Sequence, residues 1–416
     1  TTLHVIDGGL YPKIHDKCQT DIFIKTVDLT FSNSPEVEIE NLMVSKMRAN
    51  TDFITESPFR GVLIKTTKNY FALLTIVHAS LDEISVRMIM QEVEVAYETL
   101  IKGEKLITPA ERLDYKDYAV WESEQINGEQ GKKHHQYWLS MLTENISAIN
   151  PLKYFCDKDS GESLSYREAF DKGYKAIGEK LPPLFRDIAF NNLIHLWVGD
   201  QPVDRVQFCT NQLTHTALQD FIRKNNIKLN AFLIASVSVL LKKLSGEDKS
   251  FLFILDDTRI HNDLYQVAGC FIRGMLFLSE AGDDMTILDV CRLVDEQMDR
   301  SYPHKIYPFT KVTSEVDLSL AAINSFQLNI INLPGKEITP FDMKCMKEGI
   351  AEKGVQLDVR VFKNTMAFDC QYSCELFNSS TIENIMVYYC NLLSDIVLHS
   401  EKKIYQINGI ANYPKR

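Results

Sequence analysis

The residues with the strongest chemical character lie in one short run, VHASLDEIS at positions 77–85, where His78 and Asp82 stand four apart. An apolar stretch, YFALLTIV at 70–77, leads into it and has the length and composition of a buried strand. From 84 to 100 apolar residues recur at helical spacing. Positions 78–83 are therefore a strand-to-helix turn, where a side chain reaches a substrate while the flanking elements hold its backbone. An imidazole so placed can accept a proton or a hydrogen bond at neutral pH. Taken alone, a histidine at a strand end is more often a hydrogen-bonded core or surface residue than a catalytic one.

A chain of 416 residues exceeds the length at which single cores stop growing, roughly 250–300 residues, so two lobes are expected. The content of 45% apolar and 24% charged residues is that of an ordinary globular protein. No apolar run approaches the roughly 18 residues of a membrane span, and the first residues do not read as a signal peptide. Nine cysteines form no CxxC pair. The odd count argues against a fully paired disulfide framework and for a reducing, cytoplasmic setting. A net charge of -11 disfavours nucleic acid as a partner.

The chain reads as two mixed α/β stretches joined by a less patterned middle, with no internal repeat. In the second stretch 216–224 predicts a helix, Asn230 is a candidate cap for a longer one through Lys243, Gly246 would end it, and 251–255 resumes as a strand. Residues 145–203 carry Pro151, Pro182, Pro183 and Pro202 with weak periodicity and are expected to cross between lobes.

Other polar groups read more plainly. Aromatics at 115–121 and around Trp138 have the spacing of core packing. His134 and His135 lie in a polar helical stretch and are expected to be solvated. Cys370 and Cys374 lack nearby His or Cys partners for a metal, and Asp256 and Asp257 follow a strand as loop acids routinely do.

Taken together, the motifs resemble a known family. The 77–85 run is similar to the HHxxxDG signature of condensation domains of nonribosomal peptide synthetases and their chloramphenicol-acetyltransferase-like relatives, with Val77 at the first His, His78 at the second, Asp82 at the Asp and Glu83 at the Gly. YKDYAVW at 115–121 matches YxDYAVW at every fixed position. QYWLSML at 136–142, VAGCFIRGMLFL at 267–278 and HKIYPFTKV at 304–312 resemble the family's YWxxxL helix, its IGxFVNTLxLR strand and its HQxYPFExL segment, in the family's order. NGIANYPKR, from Asn408, looks like the connector into an adenylation domain, and the family's two earliest motifs are missing.

The resemblance implies an α/β fold of two chloramphenicol-acetyltransferase-like lobes in a V-shaped pseudo-dimer with a central tunnel, the beginning of the N-lobe being absent. The lobes would span 1–195 and 196–408, with 409–416 starting the linker to a downstream adenylation domain. It further implies an acyltransferase-type enzyme that joins a donor acyl thioester and an acceptor aminoacyl amine. Carrier proteins would present both on phosphopantetheine arms, with no cofactor or metal bound directly. His78 takes the catalytic position. Asp82 is the structural carboxylate, Arg259 its candidate partner, and Val77, Glu83, Ser85 and Arg273 lie in the vicinity. Glu83 puts bulk and charge where the family has Gly, and Arg273 replaces an Asn, so a compensating Glu83–Arg273 pair is expected. The alternative is a degenerate condensation-like platform that binds carrier proteins or a tailoring enzyme.

Overall fold

A computed structural model describes residues 2–6, 9–13, 24–48, 57–107, 113–145, 203–210, 212–313, 315–316, 326–333, 354–374 and 376–407. The proline-bearing stretch 146–202 and the end from Asn408 lie outside the described residues. The described residues fall into two compact units that interleave along the sequence: those within Thr1–Trp121 and Arg259–Ile272 in the first, and those within Glu122–Lys175, Ile194–Thr258 and Arg273–Arg416 in the second.

In the first unit, β1 (Thr2–Ile6) pairs antiparallel with β2 (Gly9–Lys13). Strands β3 (Ile24–Asp28), β4 (Phe59–Lys65) and β5 (Tyr70–Ile76) make a separate sheet, parallel between β3 and β4 and antiparallel between β4 and β5. Helix α1 (Pro35–Arg48) packs Ile39 and Leu42 against the Val62 and Ile64 side of β4. Burial of that apolar cluster is what holds helix to sheet. Helix α2 (Glu83–Ile101) follows β5, and α3 (Tyr115–Asn127) begins in this unit.

The second unit takes up α4 (Glu129–Glu144) and then a six-stranded mixed sheet. The elements run β6 (Val203–Cys209), α5 (Gln212–Lys224), α6 (Leu229–Ser245), β7 (Lys249–Asp257), β8 (Ile272–Glu280), α7 (Ile287–Ser301), β9 (Phe326–Asn332), β10 (Val355–Val361), β11 (Met366–Ser373) and α8 (Ser379–Leu398). Strand order is β6-β11-β10-β9-β7-β8. Along β10 the alternation of a strand is explicit: Val355, Leu357, Val359 and Val361 join the helices in the core, while Gln356, Asp358 and Arg360 face the other way. Helix α6 is buried from Ala231 to Lys242, the pattern of a core helix and not of an amphipathic one.

Gly246 terminates α6 in the left-handed region, φ 79°, donating its N–H to the Lys242 carbonyl. The start differs from expectation. Lys228 is the N-cap, without a side-chain bond, because the Asn230 side chain is used on the Tyr302 hydroxyl. A second correction concerns 267–278, where β8 starts only at Ile272 and the preceding residues run as non-strand backbone with a different task, described below.

His134 and His135 are only partly solvated. Both are half-buried, His134 Nδ1 lying 2.8 Å from His304 Nδ1 and His135 Nε2 2.8 Å from a Glu315 carboxylate oxygen. Tyr137 stacks flat on His304, with centroids 4.1 Å apart, and Trp138 donates its indole N–H to the His304 carbonyl. The segment after α7 covers this side of α4, and periodicity within α4 does not reveal that. Asp256 is likewise engaged: the Lys305 ammonium lies 3.0 Å from its carboxylate and donates to the Asp257 carbonyl.

Candidate active site

β5 ends at Ile76, and the backbone turns through 77–82 before α2 begins at Glu83. Val77 anchors the turn through its backbone, donating to the Pro58 carbonyl and accepting from the Ser80 N–H, each at 2.9 Å. The position that carries the family's first His therefore does its local work without a polar side chain.

His78 is exposed, and its Nδ1 lies 3.4 Å from the Leu81 carbonyl oxygen, a long contact. A carbonyl only accepts, so a hydrogen bond in that contact is donated by Nδ1–H, and in the neutral ring this leaves the lone pair on Nε2. That is the tautomer a hydrogen-bond acceptor or base requires.

Under this exposed ring lies a dry network. Asp82 is the N-cap of α2, accepting the Ser85 N–H at 2.8 Å. Arg259 donates Nη1 to Asp82 Oδ2 at 2.7 Å and Nη2 to Oδ1 at 3.1 Å, and neither side chain is exposed. Arg259 also donates to the Ser85 hydroxyl at 2.8 Å and to the carbonyls of Leu264 and Val267, and its guanidinium sits 3.9 Å over the Phe271 ring. Phe271 N–H closes the set on Asp82 Oδ2 at 2.9 Å. Burial alone would raise the Asp82 pKa, but the hydrogen bonds from Arg259 and from the Ser85 and Phe271 amides outweigh it, and the carboxyl is held below its ordinary value.

Ser85 is fully buried. Its hydroxyl donates to the Gly269 carbonyl at 2.7 Å and accepts from the Gly269 N–H at 3.0 Å. The stretch 267–271 is thus a clamp of backbone groups laid over the turn. Sequence reading assigned it to a strand and missed Gly269 and Phe271, whose contribution comes from main-chain atoms that no residue type announces.

The expected Glu83–Arg273 pair is corrected. Glu83 opens α2 and bonds Arg87 one turn on, while Arg273 pairs with Glu122 at 2.7 Å. Helical spacing places Arg87 within reach of Glu83, so no distant partner is needed. Among the described residues no group of three or more His, Cys, Asp or Glu is placed to hold a metal ion.

A mixed α/β fold with an imidazole exposed at a strand-to-helix turn, above a buried carboxylate, defines a chloramphenicol-acetyltransferase-like protein. The chain belongs to the condensation-domain family, whose model, described as "Condensation domain", matches residues 2–163 and 198–413. It is similar to tyrocidine synthase 2 of Brevibacillus parabrevis, at 22% identity over 100% of this chain, and spans 10% of that synthase's length. Among solved structures it is similar in fold to the first condensation domain of the calcium-dependent antibiotic synthetase, in complex with substrate analogue 2a. That match has a TM-score of 0.71 at 10% identity and covers 99% of this chain and 86% of that one. The epimerization domain from the third module of tyrocidine synthetase B gives 0.70 at 12% identity, covering 96% and 85%.

Proposed function

We propose that this chain is an active condensation domain of a nonribosomal peptide synthetase. It joins a donor acyl or peptidyl thioester to the amine of an acceptor aminoacyl thioester, each presented by a carrier protein on its phosphopantetheine arm. The observation that carries the reading is the pairing of opposites at one turn: an exposed His78 whose Nδ1 faces the Leu81 carbonyl, four residues before the buried Asp82 that Arg259 holds. In the reaction the amine nitrogen attacks the thioester carbonyl, the C–N bond forms and the C–S bond breaks. The proton lost by nitrogen ends on the departing sulfur. His78 Nε2 accepts a hydrogen bond or the proton from the attacking amine, which positions the nucleophile as well as activating it. Asp82, Arg259 and Ser85 hold the turn.

Membership in the family supports carrier proteins and an adjacent adenylation domain as partners. Cys291, Cys370 and Cys390 form no disulfide with another described residue, in keeping with the reducing, cytoplasmic setting we propose; no helix among the described residues is long and apolar enough to cross a membrane. The test is an assay with loaded donor and acceptor carrier proteins, wild type against His78→Ala. Product that depends on His78, with a melting temperature within a few degrees of wild type, supports the proposal. Carrier binding without product identifies a docking platform, and near-normal product from His78→Ala removes the catalytic role.

A further inference from the structure

Tyr115 opens α3 and, by its spacing, is one more packing aromatic. Its hydroxyl does something packing does not require, donating to the Cys270 carbonyl at 2.8 Å. The ring stands edge-on to Phe271, with centroids 5.1 Å apart at 85°. It also occupies the space beside Gly269, where an added Cβ would come within 1.9 Å of a ring carbon. Tyr115 therefore fixes three consecutive residues, 269–271, by a hydrogen bond, a ring contact and a close approach.

Those residues hold the active-site turn. On one side of Cys270, the Gly269 carbonyl accepts the Asp82 N–H at 3.1 Å and the Ser85 hydroxyl at 2.7 Å; on the other, the Phe271 N–H donates to the Asp82 carboxylate. The Asp82 N–H and the Leu81 carbonyl belong to a single peptide group. One end of that group is held by Gly269 and the other faces His78 Nδ1. A continuous line of hydrogen-bonded and covalent groups thus leads from the Tyr115 hydroxyl through 269–271 and the Leu81–Asp82 peptide to the imidazole. Such chains hold their members' orientation together, because each polarised bond favours the geometry of the next.

We infer that Tyr115 is a positioning residue for His78, setting the placement of the Leu81 carbonyl that keeps Nδ1 protonated and Nε2 available. The inference rests on the proposed role of His78 for its catalytic consequence, while its structural content stands apart from that role. Tyr115 is 36% exposed and Cys270 is half-buried, so water can satisfy the Cys270 carbonyl when the hydroxyl is removed. Tyr115→Phe keeps the ring contacts and leaves the fold intact.

The experiment compares wild type with Tyr115→Phe in protein carrying ¹⁵N-labelled histidine, the His78 ring signals being assigned by their loss in His78→Gln. Long-range ¹H–¹⁵N spectra read the tautomer directly. In Tyr115→Phe the His78 nitrogens are expected to move toward a mixture of the two tautomers. The single-turnover rate with loaded carriers is expected to fall about fivefold, the loss corresponding to one net hydrogen bond, with the half-saturating carrier concentration unchanged. His78 ring signals identical to wild type overturn the inference, whether or not the rate falls. Should His78→Ala itself retain product formation, the catalytic reading fails, and the ring spectrum of Tyr115→Phe still decides the positioning.

Discussion

Asp82 and Arg259 meet through two hydrogen bonds, 2.7 and 3.1 Å, with 0% of either side chain exposed. Removing the carboxylate leaves a guanidinium in a dry site and withdraws the cap of α2. Asp82→Ala is expected to lower unfolding stability by about 3–5 kcal/mol, the range for breaking a buried pair. Urea denaturation measures it, and a midpoint equal to wild type would show that the network tolerates the loss.

Acid should act on the same bond. The folded-state pKa of Asp82 lies below its ordinary 3.8, so the ionised form is favoured in the fold. Its contribution is fully present above 3.8 and is lost as pH falls below that value toward the folded pKa. Stability followed from pH 5 downward should drop more steeply in wild type than in Asp82→Asn, which has no carboxyl to titrate there.

Glu83 is expected to matter little for stability. Its pair with Arg87 is a partly exposed i,i+4 contact, with side chains 36% and 35% accessible, worth about 0.3–0.5 kcal/mol. Its place in the first turn of α2 adds a comparable gain from the helix dipole. With the carboxylate turned to Arg87, Glu83→Gln should change the condensation rate by less than about threefold, equivalent to under 0.7 kcal/mol in the barrier. A tenfold loss in a single-turnover assay would reveal a direct role for this carboxylate.

The His134–His304 contact predicts a pH response in the second unit. Burial lowers both pKa values, and the charges of Lys133 on His134 and of His134 on His304 lower them further. The Tyr137 ring stacks on His304, the Tyr307 ring centroid lies 6.5 Å from that of His134, and the nearby Lys305 is engaged by Asp256. An N–H···N bond needs one neutral ring. The fold therefore favours the unprotonated forms, and its stability is fully present above the ordinary value of 6.5 and is lost as pH falls below it. Thermal unfolding between pH 7.5 and 5 should show this slope, and His134→Phe should flatten it. His215, also lowered by burial, retains its own share in both proteins.

Gly269→Ala tests the clamp from the backbone side. The added Cβ would sit 1.9, 2.4 and 2.8 Å from three carbons of the Tyr115 ring, so the ring or the clamp must shift. A loss of about 1–3 kcal/mol is expected, as for overpacking elsewhere. Combined with Tyr115→Ala, which opens the space, the double variant should lose less than the sum of the two single changes. Strict additivity would mean that the two residues do not press on each other.

The sequence by itself determined the local framework of this protein. The apolar run into β5, the helical spacing of α2 and the stop at Gly246 are set by side-chain alternation, by 3.6-residue periodicity and by the left-handed backbone that glycine adopts at low cost. Each is a property of a dozen neighbouring residues. Family motifs, read in order, added the class of protein.

What lies beyond that range belonged to the tertiary structure. Sequence reading paired Glu83 with Arg273, and helix geometry put Arg87 in its place. His134, in a run that reads as polar surface, meets His304 across 170 positions. Residues 267–271, patterned as strand, stop short of the sheet because their amides and carbonyls bond Asp82 and Ser85, some 184 to 189 positions away. Every residue carries the same backbone donor and acceptor, so no choice of side chain announces which of them will close a site, and only the packed chain brings them there.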